Sequence, residues 1–172
     1  MKKYIIYSTL FIMILGTLLH FTYDWSNQNP IVASFSAINE STWEHLKLVF
    51  FPMLLTTIVG YFLFGKNVQN FLCANILGII TAISFIVIFF YTYTGIIGTN
   101  FAILDIGSFF VSILLGEFVI YKVLNSNLKC NKYLAITAFI LLLFCFIFFT
   151  YFPPKLGLFE DPLAVDNLNL IN

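Results

Sequence analysis

His20, Asp24, Glu40, His45 and Asp105 are the side chains with which this chain could do chemistry. Two imidazoles with carboxylates make an acceptable ligand set for Zn²⁺ or another divalent cation. An ion held by three protein ligands keeps an open position at which a water can be polarised. Gly16, His20 and Asp24 recur every four residues, so on a helix they share one face. The Asp24 carboxylate, one turn from His20, can orient the imidazole or join it on a metal. The plainer alternative is a histidine at the membrane interface bonded to a backbone carbonyl. The metal set read from the sequence is His20, Asp24, His45 and Asp105, with Glu40 a further ligand candidate.

The second half of this constellation lies in Asn39-Glu40-Ser41-Thr42-Trp43-Glu44-His45-Leu46-Lys47. Ser41 followed three residues later by Glu44 matches a capping box, in which each side chain satisfies an otherwise unpaired amide at a helix start. Ser41 and Glu44 are therefore read as a structural cap, with Lys47 in position to pair with Glu44. Trp43 suits an interfacial anchor. The cap leaves Glu40 and His45 unexplained. Pro52, below His45, removes the hydrogen bond to the Leu48 carbonyl and predicts a kink. Asp105, Ser108, Ser112 and Gly116 form a seam of small and polar residues on one helical face, which turns Asp105 into a bundle. An acid there needs a partner, and His20, His45 and Lys47 are the candidates. A structural bond to Lys47 or His45 is the competing account.

The elements that must hold these groups are membrane helices. Hydrophobic residues make up 60% of the 172 and charged residues 9%, with a mean hydropathy of +0.97. Such a chain cannot cover a water-facing surface, so lipid must be its main solvent. Five stretches are long enough to span: 4–23, 46–64, 71–90, 101–121 and 133–151. The expected fold is an all-α, five-span bundle forming a single domain over 1–172, with a loop at 24–41 and a tail at 152–172. Met1-Lys2-Lys3 before an apolar run imitates a signal peptide. The run is too long and lacks a small-x-small cleavage site, so it reads as an uncleaved span.

Lysines set the orientation. Lys2, Lys3, Lys66, Lys122, Lys129 and Lys132 fall on one side and only Lys47 and Lys155 on the other, which predicts the N-terminus in the cytoplasm and the C-terminus outside. Asp24, Glu40, Glu44, Asp105, Glu160, Asp161 and Asp166 then gather toward the outer face, and Glu117 alone lies toward the inner one, within snorkelling reach of it. Tyr91, Tyr93 and Thr94 read as an interfacial belt, and Asn75 as a bond to a neighbouring helix. Cys73, Cys130 and Cys145 contain no C-x-x-C pair and read as isolated thiols, the first two near the cytoplasmic side, where disulfides are rare. Zero net charge and the absence of Arg argue against nucleic acid and against bidentate clamping of phosphate.

Asp24-Trp25-Ser26, Asn29-Pro30, the Asn39 to Leu48 run, Phe51-Pro52 and the late Pro153-Pro154 with Leu158-Phe159 and Asp161-Pro162 carry a resemblance. The chain resembles an uncharacterised family of small multi-span membrane proteins of Gram-positive bacteria, a domain of unknown function. The tail departs from the family's ending at Leu163-Ala164-Val165-Asp166-Asn167. The resemblance implies a membrane class and no activity.

Three functions remain open. The first is a polar, acidic pocket at the outer face of the plasma membrane, binding a divalent cation or small ligand. The chain has no H-E-x-x-H, G-x-S-x-G or Walker A motif, so no reaction is named. The second is a non-catalytic assembly or partner-binding protein. The third is a small transporter or an oligomeric channel, against which the third and fifth spans are almost purely apolar. Besides the bilayer, a protein partner or a second copy of the chain is a candidate partner.

Overall fold

A computed structural model describes residues 1–161; Asp166 and the other residues of 162–172, including the departure in the tail, lie outside the described part. The order is α1 (Lys2–Trp25), α2 (Pro30–Ala33), α3 (Thr42–Leu63), α4 (Phe71–Ile97), α5 (Ala102–Leu124) and α6 (Lys132–Tyr151). No strand occurs among the described residues. All but α2 are long and apolar enough to cross a membrane. Rows of exposed Leu, Ile and Phe on α1, α5 and α6 match what hydrocarbon would solvate. α3 starts earlier than the apolar run, at Thr42, because Ser41 caps it, and α4 runs past Phe90 to Ile97. Gly98 stops α4 in the left-handed region at φ +85°, its N–H bonded to the Thr94 carbonyl at 2.8 Å, so α5 returns at once along α4.

Close backbone approach governs the centre. A Cβ on Gly78 of α4 would lie 2.7 Å from the Gly116 carbonyl oxygen of α5. The predicted seam therefore exists: Ser108, Ser112 and Gly116 are buried. Asn75 joins three helices as expected, its Oδ1 accepting from Tyr4 Oη of α1 at 3.2 Å and Thr57 Oγ1 of α3 at 3.1 Å. Glu117 does not snorkel: it is 2% exposed and turned into the bundle.

One further expectation is corrected. Cys73 and Cys130 are joined as a disulfide, Cα to Cα 5.8 Å, and only Cys145 is a free thiol. Sequence spacing hid this pair. The α5–α6 loop comes back beside the start of α4, where Asn70 Nδ2 also donates to the Val123 and Ser126 carbonyls. Lys47 pairs with Glu44 as their spacing predicts, and the pair is buried. The lysine is 0% exposed, 2.5 Å from Glu44, and donates to the Ala33 carbonyl at 2.8 Å and Thr150 Oγ1 at 3.0 Å.

Two outcomes are expected. Lys47→Met leaves a buried carboxylate without its cation and should cost about 3–5 kcal/mol, while Glu44→Gln with Lys47→Met should recover most of that loss; unfolding of both variants in detergent micelles measures it. Alkylation of protein purified without reductant should modify Cys145 alone, and all three cysteines only after reduction, as read by intact mass.

Candidate functional site

The site begins one turn beneath the histidines. Pro52 cannot donate to the Leu48 carbonyl, and that oxygen faces Gly16 of α1, where a Cβ would sit 2.4 Å from it. Only glycine lets the two backbones meet there. Four residues on from Gly16 and three back from Leu48, His20 and His45 are therefore carried to a ring-centroid distance of 5.2 Å, edge to face.

The loop between α1 and α3 brings the third group. Ser36 Oγ donates to the Leu19 carbonyl at 2.5 Å and accepts from the Tyr23 amide at 3.1 Å, spanning one rung of α1 beside His20. Asn39 Oδ1 accepts the Ser41 amide at 3.0 Å, and Ser41 Oγ accepts the Glu44 amide at 3.4 Å. Only half of the capping box forms. Glu44 does not reach back to Ser41; its carboxylate accepts the Ile38 amide at 3.0 Å and the Thr150 hydroxyl at 3.3 Å, and pairs with Lys47. Glu40 is thereby held beside both imidazoles.

Glu40 Oε2 lies 3.4 Å from His45 Nε2 and 3.9 Å from His20 Nε2, and one donor atom from each of the three residues lies within 4.8 Å of the others. These contacts are long for hydrogen bonds, which peak near about 2.9 Å. Two ligands on one tetrahedral Zn²⁺ stand roughly 3.4 Å apart, given metal–ligand distances near about 2.1 Å. His45 Nδ1 lies 2.9 Å from the Ser41 carbonyl oxygen. That carbonyl can only accept, so Nδ1 donates to it and Nε2 is the ring nitrogen turned toward Glu40, the atom left for an ion. His20 and His45 are half-buried and Glu40 is exposed, so the cluster is an open surface group and not an enclosed pocket. Apolar grooves along α6, lined by residues such as Phe144 and Phe148, and between α3 and α6 contain no histidine or acid.

The other candidates stand apart. Asp24 is exposed on the last turn of α1, outside the cluster. Asp105 meets neither histidine nor Lys47. Tyr93 of α4 donates to its carboxylate, Asn100 Nδ2 does so at 3.2 Å, and the Tyr93 hydroxyl also accepts the Phe101 amide at 3.2 Å. The tight return at Gly98 keeps the first turn of α5 against α4, which fixes Asp105 as a fastening of that turn. Tyr93 is accordingly 8% exposed and not part of an interfacial belt. Trp43 likewise turns inward, between Phe146 at 4.7 Å and Phe159 at 4.8 Å between centroids. The described tail thus folds back onto α3 and α6, through the short 3-10 turn Gly157–Phe159. Ser36, Tyr93 and Thr150 were not singled out as site supports by the sequence, since a lone hydroxyl carries no spacing signal.

Gly16→Ala should separate α1 from α3 and cost about 1–3 kcal/mol by overpacking, measured by thermal unfolding in detergent. The separation should also shift the His20 and His45 imidazole resonances together.

No curated protein and no solved structure matches this chain. A family model described as a family of unknown function (DUF6512) matches residues 1–166, and the chain belongs to that family.

Proposed function

We propose that this protein is a multi-pass protein of a Gram-positive plasma membrane that holds a divalent cation at its outer face, with His20, Glu40 and His45 as the protein ligands. The observation that supports this most is the convergence of three ligand atoms, one from each residue, within 4.8 Å of one another. Two imidazoles and one carboxylate favour a borderline cation such as Zn²⁺ over Ca²⁺ or Mg²⁺, which prefer all-oxygen sites. Three protein ligands at an exposed position leave room for a water or an external ligand. The ion would act as a Lewis acid on that group, and the Ser41 carbonyl would hold the His45 ring in place. The outer placement rests on the lysines alone: with Lys47 buried in its pair, Lys155 is the remaining lysine at the histidine end of the described chain, and the Cys73–Cys130 bridge, which by compartment would favour the opposite orientation, lies at the lysine-rich end.

Metal analysis of detergent-purified protein tests the reading. The parent should carry about one ion per chain after zinc supplementation, and His20→Ala/His45→Ala should carry almost none while still eluting as a folded species. Glu40→Gln should bind more weakly than the parent. Lowering the pH should release the ion, because a protonated imidazole cannot ligate. A parent without metal after addition of zinc, manganese and calcium would sink the proposal and leave the two histidines as groups that bond helices together.

A further inference from the structure

Glu117 is a buried acid that neither the cation cluster nor the fold's ion pair employs. It lies on α5 beside Gly116, where α4, α3 and α5 pack so closely that a Cβ on Gly116 would stand 2.8 Å from the Gly78 carbonyl oxygen and 3.2 Å from Met53 Cε. One carboxylate oxygen, Oε2, is buried without a hydrogen-bond partner among the described residues. No lysine or histidine forms an ion pair with it among them. Glu44 shows how this chain satisfies a structural buried acid: a lysine, a backbone amide and a hydroxyl all meet it. Glu117 has the Ser8 hydroxyl as its hydrogen-bond partner and no cation or backbone amide among the described residues. A carboxylate so sparsely met inside a membrane segment is costly, and such residues mark ion and proton paths.

We propose that Glu117 is a reversible proton-binding site within the membrane, reached from the lysine-rich end of the bundle. The proton comes from water at that end and returns to it: an O–H bond forms at the carboxylate as one breaks at the donor, and no electron moves. α1 supplies the nearby hydroxyls. Ser8 lies beside the carboxyl and donates to the Ile5 carbonyl at 3.0 Å, and Tyr4, one turn nearer the lysine-rich end, is within electrostatic reach of Glu117. Tyr4 Oη contacts the Thr56 carbonyl of α3 at 3.3 Å and Asn75 Oδ1 of α4 at 3.2 Å, and Thr57 Oγ1 donates to the same Asn75 oxygen. Tyr4 is the titratable member of this set, and none of its members carries a formal charge. Tyr4 and Ser8 stand one turn apart on α1, between its first turn and the acid, so polar groups lie on that side of Glu117. Toward the histidine end, α5 carries Ser112 and Ser108, which bond the Phe109 and Asp105 carbonyls as Ser8 bonds that of Ile5; neither makes a contact with Glu117 as Ser8 does.

The test uses the full chain in detergent and a hydrophobic carbodiimide, which adds to a protonated carboxyl in an apolar setting, with peptide mass spectrometry to locate the adduct. Glu117 should be modified in the folded protein near neutral pH, and the modification should fade as the pH is raised. The Glu117→Gln variant should lose that adduct. Absence of modification at every pH from about 5 to about 9, with ready modification after unfolding, would overturn the proposal and leave a sealed structural carboxyl. Suppression by sodium at constant pH would overturn it in favour of a monovalent metal cation.

Discussion

The Lys47–Glu44 pair is the constraint on which the histidine end of the molecule rests. A buried ion pair is not in itself a strong source of stability, since desolvation offsets most of the attraction. Its importance lies in what it must touch to be satisfied. Lys47 reaches the Ala33 carbonyl at the end of α2 and Thr150 near the end of α6, and Glu44 reaches the Ile38 amide in the loop. The two charges thus tie α3 to α2, to the loop that follows it and to α6. The irregular stretch from α2 to α3 can sit against apolar helices because these charges take up its backbone groups. Tyr151 adds a second tie, donating to the Pro30 carbonyl at 2.5 Å.

The fold was legible in the sequence because the bilayer leaves few choices. Apolar length gave the five long helices, and the seam from Asp105 to Gly116 correctly announced a close helix contact. The pairing of Glu44 with Lys47 followed from their spacing. Long-range choices were not legible. Asp105 had three plausible partners by composition and meets none of them; Tyr93 takes the place, brought there by the short turn at Gly98. Asp24 shares a helical face with His20, yet a shared face does not say how far the facing helix extends. Glu40, which no periodicity singles out, takes that place because Ser36 and Asn39 pin the loop. The cysteine pair, with a sequence separation of 57, lay beyond any local rule.

The two ends of the bundle are built by different means. At the histidine end, polar groups of a loop are held by charges and hydroxyls, and the cluster is half open. At the lysine-rich end, aromatic packing among Tyr4, Phe64 and Phe71 and a covalent bridge do the holding. Between them the chain is nearly free of polar groups except at the α1, α3, α4 and α5 contact around Asn75 and Glu117.

The meeting of Gly16 with the Leu48 carbonyl has a consequence for how such a chain can change over generations. Pro52 frees that carbonyl, and the missing side chain at position 16 accommodates it. Neither residue makes sense alone. A glycine opposite a fully bonded helix would be a weak spot, and a proline opposite a larger residue would leave an oxygen with no close neighbour. The two positions, far apart in the sequence, therefore form a single heritable unit: family members that abandon one are expected to abandon the other, and with it the distance between the two histidines.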